Sequence, residues 1–115
     1  MKNIKRLLAL SVLLVSSAAS AETRKFNLFT IEVDGVKMWV PSTIVVKKGD
    51  EVEITAASKV GKGSIHGFTL ADFKIVESAD DKGKAIKFKA DRAGIFDFRC
   101  HLHPAHVGGQ LIVLE

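Results

Sequence analysis

Cys100, His101, His103 and His106 crowd into the run Cys-His-Leu-His-Pro-Ala-His. They comprise the only cysteine of the chain and three of its four histidines; the fourth, His66, lies 34 residues upstream in another apolar segment. A thiolate and several imidazoles gathered this closely are ligands for copper or zinc. In Cys100-x-x-His103-x-x-His106 the cysteine ends a strand-like segment and the histidines fall on the turn after it. One short loop can therefore present several donors to one point. His66 would complete a Cys-His-His set from a neighbouring strand, and His106 would add a fourth nitrogen. Phe68, Phe96 and Phe98 would furnish an apolar wall that limits water and tunes the metal.

Each of these residues also has a plainer reading. A lone cysteine cannot form an internal disulfide, so Cys100 is a buried inert thiol, an exposed liability or a metal ligand. A lone histidine on an apolar strand, as His66 is, is usually a satisfied core residue. His106 reads either as an axial ligand or as a solvent-facing histidine bordering the site. His101, next to Cys100 where neighbours alternate in direction, is expected to point away from the metal. The proximity of the loop histidines to Cys100 favours ligation, and the metal set expected is His66, Cys100, His103 and His106. Copper, one ion per chain, is the cofactor that suits a mixed thiolate and imidazole set. Zinc is the alternative, since one cysteine and three histidines also fit a closed, redox-silent tetrahedral site.

The elements that must position these donors read as short strands. Lys25 to Val33 is rich in β-formers, and Asp34-Gly35 is a hairpin turn signal leading into Val36 to Val40, stopped by Pro41. Ile44 to Val46 runs into the turn Lys47-Lys48-Gly49-Asp50, after which Val52, Ile54 and Ala56 alternate with Glu51, Glu53 and Thr55. Ala57 to Ser64 reads as a flexible loop. Ile65 to Leu70 resumes a strand with His66, Phe68 and Leu70 on one face. No window carries a convincing helical period, and Asp72 to Asp81 is the one stretch that leaves room for a short helix. Ala85 to Ala90 alternates again, Ala93-Gly94 turns the chain into Ile95 to Cys100, and Leu111 to Leu114 closes it. Gly108-Gly109 is expected to allow close backbone packing after the loop. Short strands at regular spacing with Gly and Asp turns argue for an all-β sandwich or barrel.

Residues 1–21 read as a cleaved signal peptide, leaving a single domain over 22–115. Lys2, Lys5 and Arg6 form a basic start, Leu7 to Val15 is an apolar core too short to span a bilayer, and Ala19-Ser20-Ala21 is a small-residue cleavage pattern. Three basic residues and no acid leave with this segment, so the formal charge falls from +4 to +1. That balance gives no ground for a nucleic-acid partner, and no membrane anchor is expected. Export to the periplasm is the expected localisation. Lys59, Lys62, Lys82, Lys84, Lys87 and Lys89 read as solvated faces that keep edges soluble. No phosphate loop or dinucleotide fingerprint occurs, and a binuclear copper centre would need a second cysteine.

Several phrases resemble those of the cupredoxins, small exported copper proteins with a Greek-key β-sandwich. Pro41-x-x-Ile44-x-Val46-x-x-Gly49-Asp50-x-Val52 is similar to the family's early-strand signature, and His66-Gly67-Phe68 to the segment bearing its first histidine ligand. Ala93-Gly94-x-Phe96-x-Phe98-x-Cys100-x-x-His103-Pro104 resembles its terminal ligand loop. The Cys100 to His106 spacing resembles the amicyanin-like loop, where methionine takes the last position. Here His106 stands there, and Met38, the only methionine after the signal segment, lies outside the loop. The Lys-Gly-Asp turn and Cys-x-Leu-His-Pro also resemble the nitrosocyanin-like, red copper members. Those members have a glutamate where this chain has His66, and their second loop histidine lies farther from the cysteine. The resemblance implies a mononuclear copper protein passing single electrons to a periplasmic redox partner, and not an enzyme. Copper handling with a delivery partner and small-ligand chemistry at a red copper site are the alternatives.

Overall fold

The computed structural model describes residues 21–115; the expected signal peptide lies outside them, save Ala21. Nine strands follow in order: β1 (Thr23–Val33), β2 (Val36–Val40), β3 (Thr43–Lys47), β4 (Glu51–Ser58), β5 (His66–Leu70), β6 (Ile75–Ala79), β7 (Lys84–Lys89), β8 (Gly94–Phe98) and β9 (Gly109–Leu114). One sheet runs β2-β1-β4-β7, a second runs β3-β9-β8, and β5 pairs with β6. Thr69 and Arg99 exchange backbone hydrogen bonds, Thr69 N–H to Arg99 O at 2.8 Å and the reverse at 3.1 Å, which joins the β5-β6 pair to the edge of β8. The chain is thus an all-β, Greek-key sandwich, with β1 parallel to β4 and β3 parallel to β9.

Alternation along the strands decides what fills the space between the sheets. Leu28, Val52, Ile54 and Ile86 from one sheet meet Ile44, Val46, Phe98, Leu111 and Val113 from the other, all nearly fully buried. Phe68 and Leu70 of β5 and Trp39 of β2 complete the core. Burying each such large side chain stabilises the fold by about 1.5–3 kcal/mol. The opposite face of β1, β4 and β7 is wet and charge-matched: Lys25 pairs across with Glu53 and Glu53 with Lys87, while Glu51 stands beside Lys89. Opposite charges at directly facing positions favour this register over a slipped one.

Two turns show why particular residues occupy them. Asp34 and Gly35 both have positive φ, 50° and 79°, the mirror-image turn whose twist matches a two-residue hairpin. In the β3–β4 turn Gly49 has φ 96°, and the Asp50 side chain is tucked inward, accepting from the backbone N–H groups of Lys47 at 2.9 Å and Glu22 at 3.1 Å. Those backbone donors, with Arg24 beside them, hold the Asp50 carboxyl below its ordinary range. Its carboxylate pins the start of β1 to the turn.

The stretch Asp72 to Asp81, which by sequence leaves room for a short helix, holds no α-helix. A single 3-10 turn, Ala71–Phe73, closes with Lys74 in the left-handed region, and Ile75–Ala79 then returns as β6 against β5. Ile75, Glu77 and Ala79 face inward by period two while Val76 and Ser78 are exposed, a strand pattern that short length and one central glutamate disguise. Elsewhere the loop expected from Ala57 starts later, because β4 continues through Ser58 alongside Thr30.

Candidate metal centre

The spacing of the ligand loop has a direct backbone cause. His103 N–H bonds to Cys100 O at 3.3 Å and His106 N–H to His103 O at 3.0 Å, two successive i to i+3 turns. Each such turn brings its first and last residues back to the same side, so Cys100, His103 and His106 share one side of the loop. Pro104 occupies the second position of the latter turn, where its fixed φ is favoured. The loop then returns through Val107, whose N–H bonds to Lys37 O of β2 at 2.9 Å. Its mouth is closed by the pair Phe98 and Gly109, where β8 and β9 meet.

His66, the first residue of β5, is brought opposite by the Thr69–Arg99 bridge and is buried. One donor atom from each of His66, Cys100, His103 and His106 lies within 4.8 Å of all the others. The imidazole centroids stand 5.3 Å apart for His66 and His103, 5.1 Å for His66 and His106, and 4.5 Å for the stacked His103 and His106. Cys100 is buried, with Sγ 3.4 Å from His103 Nδ1 and accepting the Gly67 N–H at 3.1 Å. His103 is exposed and His106 half-buried, so the cluster lies just under the surface.

The donor set fits a soft or borderline metal ion. Nδ1 of His66 and Nδ1 of His106 are both buried without any hydrogen-bond partner. Native proteins rarely leave two such nitrogens orphaned, and a cation between them would satisfy both. Burial pushes the His66 imidazole below its usual pKa, with His106, His103 and Lys37 adding repulsion; burial likewise lowers His106, helped by His103 and Lys37 and opposed by Glu32. Neutral imidazoles with free lone pairs are the form a metal binds.

His101 turns out as its place beside Cys100 implies. It is exposed, and its Nδ1 lies 2.6 Å from Thr69 Oγ1, tying the loop to β5 on the outer side. Gly67 makes room for it: a Cβ there would sit 2.5 Å from His101 Nδ1 and 3.0 Å from its backbone nitrogen. Phe68 and Phe98, with centroids 5.2 Å apart, form the apolar floor, but Phe96 packs on Phe73 and Arg92 instead. Two supports are not evident from the sequence. Trp39 donates its buried indole N–H to Gly67 O at 3.0 Å, and Lys37 brings a positive charge near the imidazoles. Trp39, the only tryptophan, at the end of a hairpin strand, was the available signal for the first.

Comparison with curated proteins finds no match. Among solved structures, the copper nitrite reductase from Nitrosomonas europaea superposes with TM-score 0.65 at 20% identity, over 80% of this chain and 41% of that one. A blue copper oxidase from the same organism gives TM-score 0.60 at 18% identity, over 80% and 39%. Both enzymes are thus more than twice the length this chain spans. Auracyanin A, a "blue" copper protein from Chloroflexus aurantiacus, gives TM-score 0.62 at 14% identity, over 79% of this chain and 98% of that one. Identities this low establish the fold alone. The sequence itself matches the cupredoxin-like domain family over residues 6–113, which reaches every strand of the sandwich and includes all four clustered donors. With that match and the sandwich agreeing, the chain belongs to the cupredoxin family.

Proposed function

We propose that this protein binds one copper ion through Cys100, His66, His103 and His106 and passes single electrons between partner proteins in the periplasm. The observation that carries the reading is the pair of orphaned Nδ1 atoms on His66 and His106, placed within 4.8 Å of the Cys100 and His103 donors. Bound copper would supply a one-electron Cu(II)/Cu(I) couple. The chain's residues supply the rest. Four donors come from two places in the fold, His66 on β5 and the others on one tightly turned loop, so they are held before the metal arrives. The Gly67 N–H and the Phe68 and Phe98 floor fix the thiolate and keep water from its inner side. Exposed His103 leaves a short path from the cluster to the surface. With the basic segment at residues 1–21 read as an export signal, copper meets the protein outside the cytoplasm.

A second reading, small-ligand chemistry at the metal, draws on an open cleft of about 450 Å³ lined by His106 together with Thr43, Asp97, Arg99 and Gln110. Voltammetry of the copper-loaded protein separates the two. A reversible one-electron wave that nitric oxide leaves unmoved supports electron transfer. A wave that nitric oxide shifts or abolishes would overturn it in favour of small-ligand chemistry, and copper surrendered within minutes to a Cu(I) chelator would overturn it in favour of copper handling.

A further inference from the structure

The outer face of the β1–β2 hairpin is built unlike the rest of its sheet. Below, the same face carries the Lys25, Glu53 and Lys87 ladder. Toward the turn every outward position is apolar, in three cross-strand pairs: Phe29 with Val40, Ile31 with Met38, and Val33 with Val36. Val33 is 51% and Val36 44% exposed, and the other four are half-buried, with no strand packed over them among the described residues. A contiguous apolar strip on a soluble chain marks an interaction surface.

Charge fixes what fits it. Asp34 stands at the tip of the strip and Lys59 lies over the Phe29 ring at its base, with Nζ 5.3 Å from the centroid. Neither takes part in an ion pair among the described residues. At about 3.4 Å per residue, Asp34 is roughly 10 Å from the Ile31 and Met38 pair in one direction and Phe29 roughly 7 Å in the other. A two-fold axis through that central pair therefore carries the tip of one hairpin onto the base of another. Asp34 of each copy then falls beside Lys59 of the other, twice over, while the three apolar pairs close on their counterparts.

We propose that two copies of this chain associate through the outer faces of their β1–β2 hairpins, apolar strip on apolar strip, with reciprocal Asp34 and Lys59 pairs at its ends. Such an isologous contact is self-closing and yields a dimer rather than a filament. Sedimentation equilibrium of the purified protein tests it across a concentration series. Ile31→Lys, at the centre, is expected to raise the dimer dissociation constant on the order of a hundredfold. Asp34→Lys or Lys59→Asp alone is expected to raise it about tenfold, and the double swap to restore it. Circular dichroism confirms that each variant is folded, and the charge variants, being on exposed sites, keep the test intact should Ile31→Lys not fold. A wild-type protein that stays monomeric overturns the proposal, whether or not it pellets with lipid vesicles. So does a dimer indifferent to all these changes.

Discussion

Gly109→Ala should open the mouth of the ligand loop. Gly109 starts β9 directly opposite Phe98, the last residue of β8, so the whole loop hangs from this one pair. A Cβ on residue 109 would lie 2.5 Å from Phe98 Cε2, and closer still to Phe98 Cζ and to the carbonyl oxygen of Ser42. Carbon atoms at optimal separation stand about 3.5–4.0 Å apart, so the added methyl overlaps its neighbours by an ångström or more on two sides. Neither side can yield at little cost. The Phe98 ring is 1% exposed and packs on Phe68, and Ser42 O is held by the Gln110 N–H at 2.8 Å. Overpacking of a rigid site costs about 1–3 kcal/mol, and pressure from two sides puts this substitution near 3 kcal/mol. With a urea dependence of about 1 kcal/mol per molar for a domain this small, the metal-free midpoint should fall by about 3 M. Gly61→Ala is the control. Its Cβ would meet nothing within 4 Å, and only its φ of 73° resists a side chain, a cost of about 1–2 kcal/mol. Urea unfolding followed by tryptophan fluorescence reads both. A Gly109→Ala midpoint no lower than that of Gly61→Ala would refute the steric reasoning.

Trp39→Phe removes a buried indole donor and leaves Gly67 O unpaired, so a loss of about 2–4 kcal/mol is expected, followed by circular dichroism because the only tryptophan is gone. His101→Ala should cost about 1 kcal/mol through the lost Thr69 contact and leave the copper spectrum unchanged; a shifted spectrum would place His101 at the metal after all. The metal-free protein should lose stability as pH falls below 6.5. Unfolded imidazoles take up protons there while the native His66 and His106, with lowered pKa values, resist, so the unfolded state binds more protons and gains. The contribution is whole above the ordinary histidine value and is lost as pH drops through the native one. Replacing both histidines with glutamine should flatten this part of the pH–stability curve, and an unchanged slope would contradict the assignment.

Much of the candidate site was legible because its donors are concentrated in the sequence. Cys100, His103 and His106 recur at every third residue, and a chain turning with i to i+3 bonds brings such residues together. His66 was legible less directly, through its place on an inward strand face beside Gly67 and Phe68. The hairpin at Asp34-Gly35 and the alternation of β4 and β7 followed from local signals alone. β6 was not legible, since five residues with one central glutamate and no strong alternation leave turn and strand near balance until β5 supplies a partner. Phe96 was misplaced for a related reason: period two gives the face of a strand but not how far along it a neighbour such as Phe73 will reach. The supports from Trp39 and Lys37 depend on contacts between distant strands, which no local pattern encodes.

The proposed function stands on Cys100 and three imidazoles together holding one copper ion. The most direct test is the visible and electron paramagnetic resonance spectrum of the protein reconstituted with Cu(II), beside its Cys100→Ser and His106→Ala variants. Four-donor ligation predicts intense thiolate-to-copper absorption, absent in Cys100→Ser, and a red or green spectrum with wide hyperfine splitting that turns toward blue in His106→Ala. Copper bound with no charge-transfer band, or one that Cys100→Ser leaves intact, would contradict it.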